Sequence, residues 1–236
     1  MIYFLSDIHL RDDQEPKAQK LIDFLDSHPM EKLFLLGDIF DLWVANGKVF
    51  HKKYKRIIDS IQKLVDAGVE IHYFEGNHDL YLKRFWQEKL GVKIYDSAAF
   101  FNLGNYLVRM EHGDEANPED VKYLEYKSII RGKFLASIAY WIPGNLLDYL
   151  GTRASQSSRA EEHRYPWDVS DVLRKHIERV YPEKPFDVLI TGHMHRQIDE
   201  EIMLSGKAVR NINLGWWGDK PRALVFQENN FRWLEI

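Results

Sequence analysis

Five short groups of carboxylate, amide and imidazole residues recur along the chain, and their types suit divalent cations. They are Asp7-Ile8-His9, Gly37-Asp38-Ile39-Phe40-Asp41, Gly76-Asn77-His78-Asp79, Glu111-His112-Gly113-Asp114 and Gly192-His193-Met194-His195. Oxygen and imidazole donors without thiolates favour Mn²⁺, Fe or Zn²⁺, with Mn²⁺ first, over Mg²⁺, which prefers oxygen and water. Two such cations roughly 3.5–4 Å apart activate water and polarise phosphoryl oxygens, which is phosphate-ester chemistry. Asp7 and His9, two apart at the end of an extended segment, are expected to face one ion. His193 and His195 share that spacing and either face one centre together or divide between two. Asp38 follows a glycine that lets the backbone turn sharply, and its carboxylate can bridge two ions. Asn77 adds a neutral amide oxygen. His78 diverges from Asn77 on a strand end, so it is expected beside the metals as a general acid for the leaving oxygen. Asp79 is expected to orient His78, Asp114 to orient His112, and Asp41 to support the site from behind. His28, His51, His72, His163 and His176 have no such context and read as surface or ordinary core residues.

The elements that must position these groups are strands. Ile2–Ser6, Leu33–Leu36, Ile71–Phe74, Tyr106–Met110 and Val188–Thr191 are β-branched or aromatic runs, each directly ahead of one motif. Ligands gathered at the carboxyl ends of strands are where an open α/β sheet builds its sites. Helices are expected over Glu15–Asp26 and about Lys52–Ala67, so the first strands pair in parallel through crossovers. Phe100–Leu103 and Tyr106–Met110 predict a hairpin around Gly104-Asn105. Further strands are expected at Ile202–Leu204, Val209–Asn213, Ala223–Phe226 and Phe231–Leu234. Two sheets face to face with helices outside would use all of them.

Residues 118–181 carry no strand pattern. They read as a helical insertion within a single domain spanning 1–236, with the apolar stretch Phe134–Leu150 broken into two helices at Pro143-Gly144. This insertion either packs against the main body or caps the site with an apolar wall. The 236 residues include no cysteine and carry a net charge of −4. That excludes a disulfide framework and a general attraction for nucleic acid. The first residues run straight into a strand and lack a basic leader, and no apolar run approaches the ~20 residues of a membrane span. A cytoplasmic protein is expected. The sequence does not fix its oligomeric state.

The ordered motifs resemble the calcineurin-like metallophosphoesterases, whose pattern is D-x-H, G-D-x-x-D, G-N-H-D/E, H and G-H-x-H. The resemblance runs from Asp7 to His195 and implies a four-layer α/β/β/α sandwich with a dinuclear site. It implies that Asp7, His9, Asp38 and His195 hold one metal, and that Asp38, Asn77, His112 and His193 hold the other. Within the superfamily the chain is similar to the UDP-2,3-diacylglucosamine hydrolases of lipid A biosynthesis. That similarity rests on His112-Gly113-Asp114 followed by Asp120, Tyr123 and Arg131, on the stretch Arg153–Arg159, and on Asn213-Leu214-Gly215-Trp216-Trp217. It implies a lipid-linked phosphoester as substrate, contacted by Asn77, His78, Asp120, Tyr123, Ser158, Arg159 and His193. It also implies peripheral contact with the inner membrane. Two departures stand out: His78 replaces the arginine usual in those enzymes, and Glu115-Ala116-Asn117-Pro118 replaces their cysteine-containing segment. Another phosphoester (a nucleotide, phosphoprotein or phospholipid) is the alternative substrate. A non-catalytic scaffold would be expected to show replaced ligands, and none of the motifs is broken.

Overall fold

Strand β1 (Ile2–Leu5) is apolar on both faces and therefore needs cover on both sides. A computed structural model of the chain, which describes residues 1–45, 47–149, 167–218 and 220–236, shows how that cover is provided. In β1, β2 (Lys32–Leu35) and β4 (Glu70–Phe74), side chains alternate. Tyr3, Leu5, Leu33, Leu35, Ile71 and Tyr73 join a core with α1 (Pro16–Ser27) and α3 (Lys55–Asp66). Phe4, Phe34, Leu36 and Phe74 point the other way and meet Val108, Met110, Val188 and Ile190 of a second sheet. On the far side, Leu189 and Val209 pack with Ile177 and Val180 of α7 (Val169–Val180). The layers are thus helix, sheet, sheet, helix, as the motif pattern predicts.

The first sheet has the order β13-β12-β1-β2-β4-β6, with β6 at Lys93–Tyr95, β12 at Arg222–Gln227 and β13 at Asn230–Glu235. Its β1, β2, β4 and β6 are parallel, and β12 and β13 are antiparallel additions. The second sheet runs β10-β11-β9-β8-β7, built from β7 (Ala99–Leu103), β8 (Tyr106–Met110), β9 (Val188–Thr191), β10 (Ile198–Leu204) and β11 (Lys207–Asn213). Within it β8, β9 and β11 are parallel, so β8 and β9 deliver their motifs to the same edge.

Three features differ from the sequence reading. The single helix expected over Lys52–Ala67 is two, α2 (Lys48–Lys53) and α3, because Tyr54 leaves helical geometry at φ −117°. Its ring is fully buried 4.4 Å from Phe40, and its hydroxyl donates to the Leu42 carbonyl at 3.2 Å. Packing has overridden helix propensity there. The two-residue strands β3 (Trp43–Val44) and β5 (Asp79–Leu80) pair in parallel and tie two motif loops together, yet are too short to show any periodicity. Of the helices in 118–181, α4 (Val121–Ile130), α5 (Lys133–Ala139) and α6 (144–149) precede the gap in description, but α7 forms the outer layer of the second sheet. The insertion read as 118–181 therefore ends before α7, whose apolar face the second sheet buries.

Candidate metal centre

The motifs converge, but not by strand alternation. Asp7, His9, Asp38, His193 and His195 all sit at positive φ, between 50° and 65°. Each is a tight left-handed turn just past a strand, a conformation that costs a non-glycine residue roughly 1–2 kcal/mol. These turns, not an extended strand end, bring Asp7 to the same point as His9, and they send His193 and His195 apart. Surrounding hydrogen bonds hold the strained turns. The His193 amide donates to both oxygens of Asp7, at 3.0 and 2.9 Å, and the Ser6 hydroxyl donates to Oδ2 at 2.5 Å.

Two donor clusters result. In the first, Nε2 of His9 and His195 lie 3.0 Å apart, with Asp7 Oδ1 3.4 Å from His195. In the second, Asn77 Oδ1 lies 3.0 Å from both His112 Nε2 and His193 Nδ1. Two donors ~2.1 Å from one cation at right angles are separated by ~3.0 Å, so both clusters fit a cation. Asp38 stands between them. Its Oδ1 accepts the His78 amide at 2.9 Å, while Oδ2 lies 3.8 Å from His9 and 3.5 Å from His112. Groups able to hold an ion are Asp7, His9 and His195; His9, Asp38 and His78; and Asp38, His112 and His193.

The electrostatics demand positive charge here. Asp7 and Asp38 are almost fully buried, and a buried carboxylate is costly unless paired. Burial pushes His9 down to about 3 against the pull of Asp38, and it pushes His193 down to about 4 with help from His112. Both imidazoles are thus neutral, as metal donors must be. Burial would also lower His112, but the carboxylates of Asp38, Asp114 and Asp7 together lift this imidazole to about 10. Their meeting point favours a cationic partner.

The expected supporting roles shift by one residue. Asp79 does not orient His78. Its carboxylate accepts the amides of Gly76, Asp38 and Ile39 at 2.7, 3.0 and 3.0 Å, plus the Tyr73 hydroxyl at 2.5 Å. It clamps the Asp38 turn to the Asn77 turn. His78 Nδ1 instead meets the backbone carbonyl of Asp41 at 2.9 Å, which leaves Nε2 directed at the centre. Asp114 does not orient His112 either, because His112 Nδ1 meets the Leu36 carbonyl at 2.7 Å. Asp114 pairs with Lys127 at 2.9 Å and takes the Tyr123 hydroxyl at 2.6 Å. Backbone carbonyls, invisible in a residue pattern, orient both rings. Lys127 and Arg131 were not expected in these positions. Arg131 donates to the carbonyls of Glu75 and Gly76, at 3.2 and 3.3 Å, directly behind Asn77. Their spacing of four along α4, continuing from Tyr123, could have marked one helix face turned toward the site.

Among the substrate contacts expected from sequence, Tyr123 lies with its ring 5.9 Å from that of His193. Asp120 caps α4, accepting the Tyr123 amide through Oδ1 at 3.1 Å. Ser158 and Arg159 lie outside the described residues, as does His163. His28, His51, His72 and His176 stand outside the ion-holding groups among the described residues. His72 stacks on Phe34 at 4.5 Å, and buried His176 pairs with Glu111.

Close approach explains the glycine that opens the last motif. A Cβ on Gly192 would collide with Ser6 Oγ and with Asp7 Oδ2. Gly192→Ala is therefore expected to lose about 1–3 kcal/mol of stability, the usual effect of overpacking, together with the ion nearest Asp7. Thermal unfolding and metal analysis of the variant check this, and parental values in both would refute the packing account.

Two donor clusters sharing one carboxylate, at the strand ends of a four-layer sandwich, are a set of side chains that could hold divalent cations. The calcineurin-like phosphoesterase family model matches residues 1–197, and the chain belongs to that family of hydrolases. The UDP-2,3-diacylglucosamine hydrolase of Pseudomonas entomophila (strain L48) is 24% identical over 234 residues, covering 98% of this chain and 97% of the relative. The enzyme of the same name from Chromohalobacter salexigens is 27% identical over 216 residues, covering 90% of this chain and 87% of the relative. The solved structure of an archaeal phosphodiesterase aligns with a TM-score of 0.52 at 16% identity, covering 100% of this chain and 99% of that one, and so shares the fold.

Proposed function

We propose that the chain hydrolyses the pyrophosphate bond of UDP-2,3-diacylglucosamine, or of a related lipid-linked substrate, releasing UMP and a lipid phosphate. The observation that carries the phosphoester chemistry is Asp38, one buried carboxylate with an oxygen turned to both donor clusters. Two divalent cations, with Mn²⁺ the first candidate, would supply an activated water and charge neutralisation of the phosphoryl group. Asp7, His9, Asp38 and His195 would hold one, and Asp38, Asn77, His112 and His193 the other. His78, fixed through Nδ1 by the Asp41 carbonyl, directs Nε2 toward the centre and can give its proton to the leaving oxygen. Burial of the ligands excludes competing water and strengthens each charge interaction.

Full-length similarity to relatives that carry one enzyme name supports the lipid substrate. The arm of α5 and α6 supports it too. A cleft of about 290 Å³ opens between Lys48 and Val49 on one side and Ala139, Tyr140, Ile142 and Pro143 on the other. The apolar residues of the arm divide in role. Leu147 packs onto the main core, whereas Trp141 is 87% exposed and Leu146 is also exposed. Leu150 lies outside the described residues. These exposed side chains would give the arm an apolar face toward the inner membrane that carries such a lipid. No helix of the described residues is long and apolar enough to cross a membrane.

The test is acyl dependence. A buried acyl chain gains about 0.8 kcal/mol per CH₂. Shortening the chains of the UDP-linked substrate should therefore raise KM steeply, by roughly fourfold per methylene removed. Similar kcat/KM values for deacylated and diacylated substrates would make the arm structural packing and remove the lipid from this proposal.

A further inference from the structure

A second cleft, of about 300 Å³, opens beside His195 and is lined by Gln197, Trp216, Lys220 and Arg222, among others. The loop between β11 and β12 treats its two tryptophans in opposite ways. Trp217 is buried at 2% exposure and donates Nε1 to the Arg222 carbonyl at 2.8 Å, so it anchors the loop. Trp216 is 45% exposed and lies nearly parallel to the imidazole of His195, with centroids 6.3 Å apart and planes 19° apart. Gly218 lets the indole lie flat against the loop, because a Cβ there would collide with the ring. The loop therefore holds an indole, half open to solvent, beside a residue of the metal centre. Arg222 donates to Gln197 Oε1 at 2.6 Å and to Glu235 at 2.9 Å. A guanidinium only donates, so it fixes the Gln197 amide with the oxygen inward and leaves the NH₂ group as the donor.

We propose that this cleft is a subsite for a nucleoside 5′-phosphate, with the base stacked on Trp216 and the Gln197 amide donating to a base carbonyl. The phosphate would lie toward His195, and Lys220 would add positive charge at the rim. Every base has a π face, so an open indole next to a phosphate-binding centre favours a nucleotide over a bare sugar phosphate. The inference rests on the proposed function in one respect: it assigns the subsite to the nucleotide half of that substrate.

Binding separates the two ideas. The full chain supplied with Mn²⁺ is titrated with UMP and with ribose 5-phosphate, followed by calorimetry and tryptophan fluorescence. UMP is expected to bind about 10-fold more tightly, the size of one base stack. Trp216→Ala should erase that difference and leave ribose 5-phosphate binding as it was, and Trp216→Phe should restore part of it. Gly218→Ala, which crowds the ring without removing it, should also reduce the difference. Equal affinity of the parent for both ligands, or an undiminished UMP preference in Trp216→Ala, overturns the subsite. Turnover of UDP-2,3-diacylglucosamine is read separately. A Trp216-dependent UMP preference without that turnover supports the subsite and removes the lipid substrate, and turnover without the preference does the reverse.

Discussion

Asp38→Ala is expected to release both ions and reduce phosphoester hydrolysis to background. The reason is geometric. Oδ1 is held by the His78 amide, and Oδ2 faces His9 of one cluster and His112 of the other. Removing it takes a donor from each ion. The Asp38 turn itself should survive, because Asp79 clamps it through backbone amides that alanine also possesses. Elemental analysis after purification with excess Mn²⁺ should find two ions per parent chain and none in the variant. His9→Ala, which touches one cluster, should lose chiefly one. A parent that binds a single ion under those conditions ends the dinuclear reading.

His78→Ala is expected to lower turnover by roughly 10²–10⁴-fold, the range for removing a general acid, with metal content unchanged. The ring packs edge-on against His9 at 4.8 Å and is oriented through Nδ1. Its donor atom is also within reach of His9 and Asp38, so it could ligate the first ion. The experiment distinguishes the two roles. Metal lost in parallel with activity would make His78 a ligand and leave the general acid to be found elsewhere.

Much of this was legible in the chain itself, for a physical reason. Strands covered on both faces read as largely apolar runs, so β1, β2, β4, β8 and β9 stand out as short runs ahead of polar motifs. The donor types then restrict the chemistry. What escaped was conformation and everything contributed by the backbone. The left-handed turns at Asp7, His9 and His195 carry no glycine to mark them, and aspartate and histidine enter that region in only a small share of their occurrences. The carbonyls of Leu36 and Asp41, which set the two ring orientations, belong to residues whose side chains do something else. The break at Tyr54 and the strands β3 and β5 depend on contacts distant in sequence. Asp79 was placed in the site by its motif, but only the fold reveals that it serves amides and not an imidazole.

The position of β1 has a consequence for how the protein is made. Strand β1 lies between β2 and β12, and its pairing with β12 joins Ile2 to Phe226. His9 likewise meets His195 from 186 residues away. Neither the strand nor the first ion position can be completed until nearly the whole described chain has been synthesised. Contacts this distant slow folding, because loop closure must precede any gain from them. Once formed, the same contacts let a bound ion join segments 186 residues apart. Free metal concentration would then set the apparent stability of the whole fold.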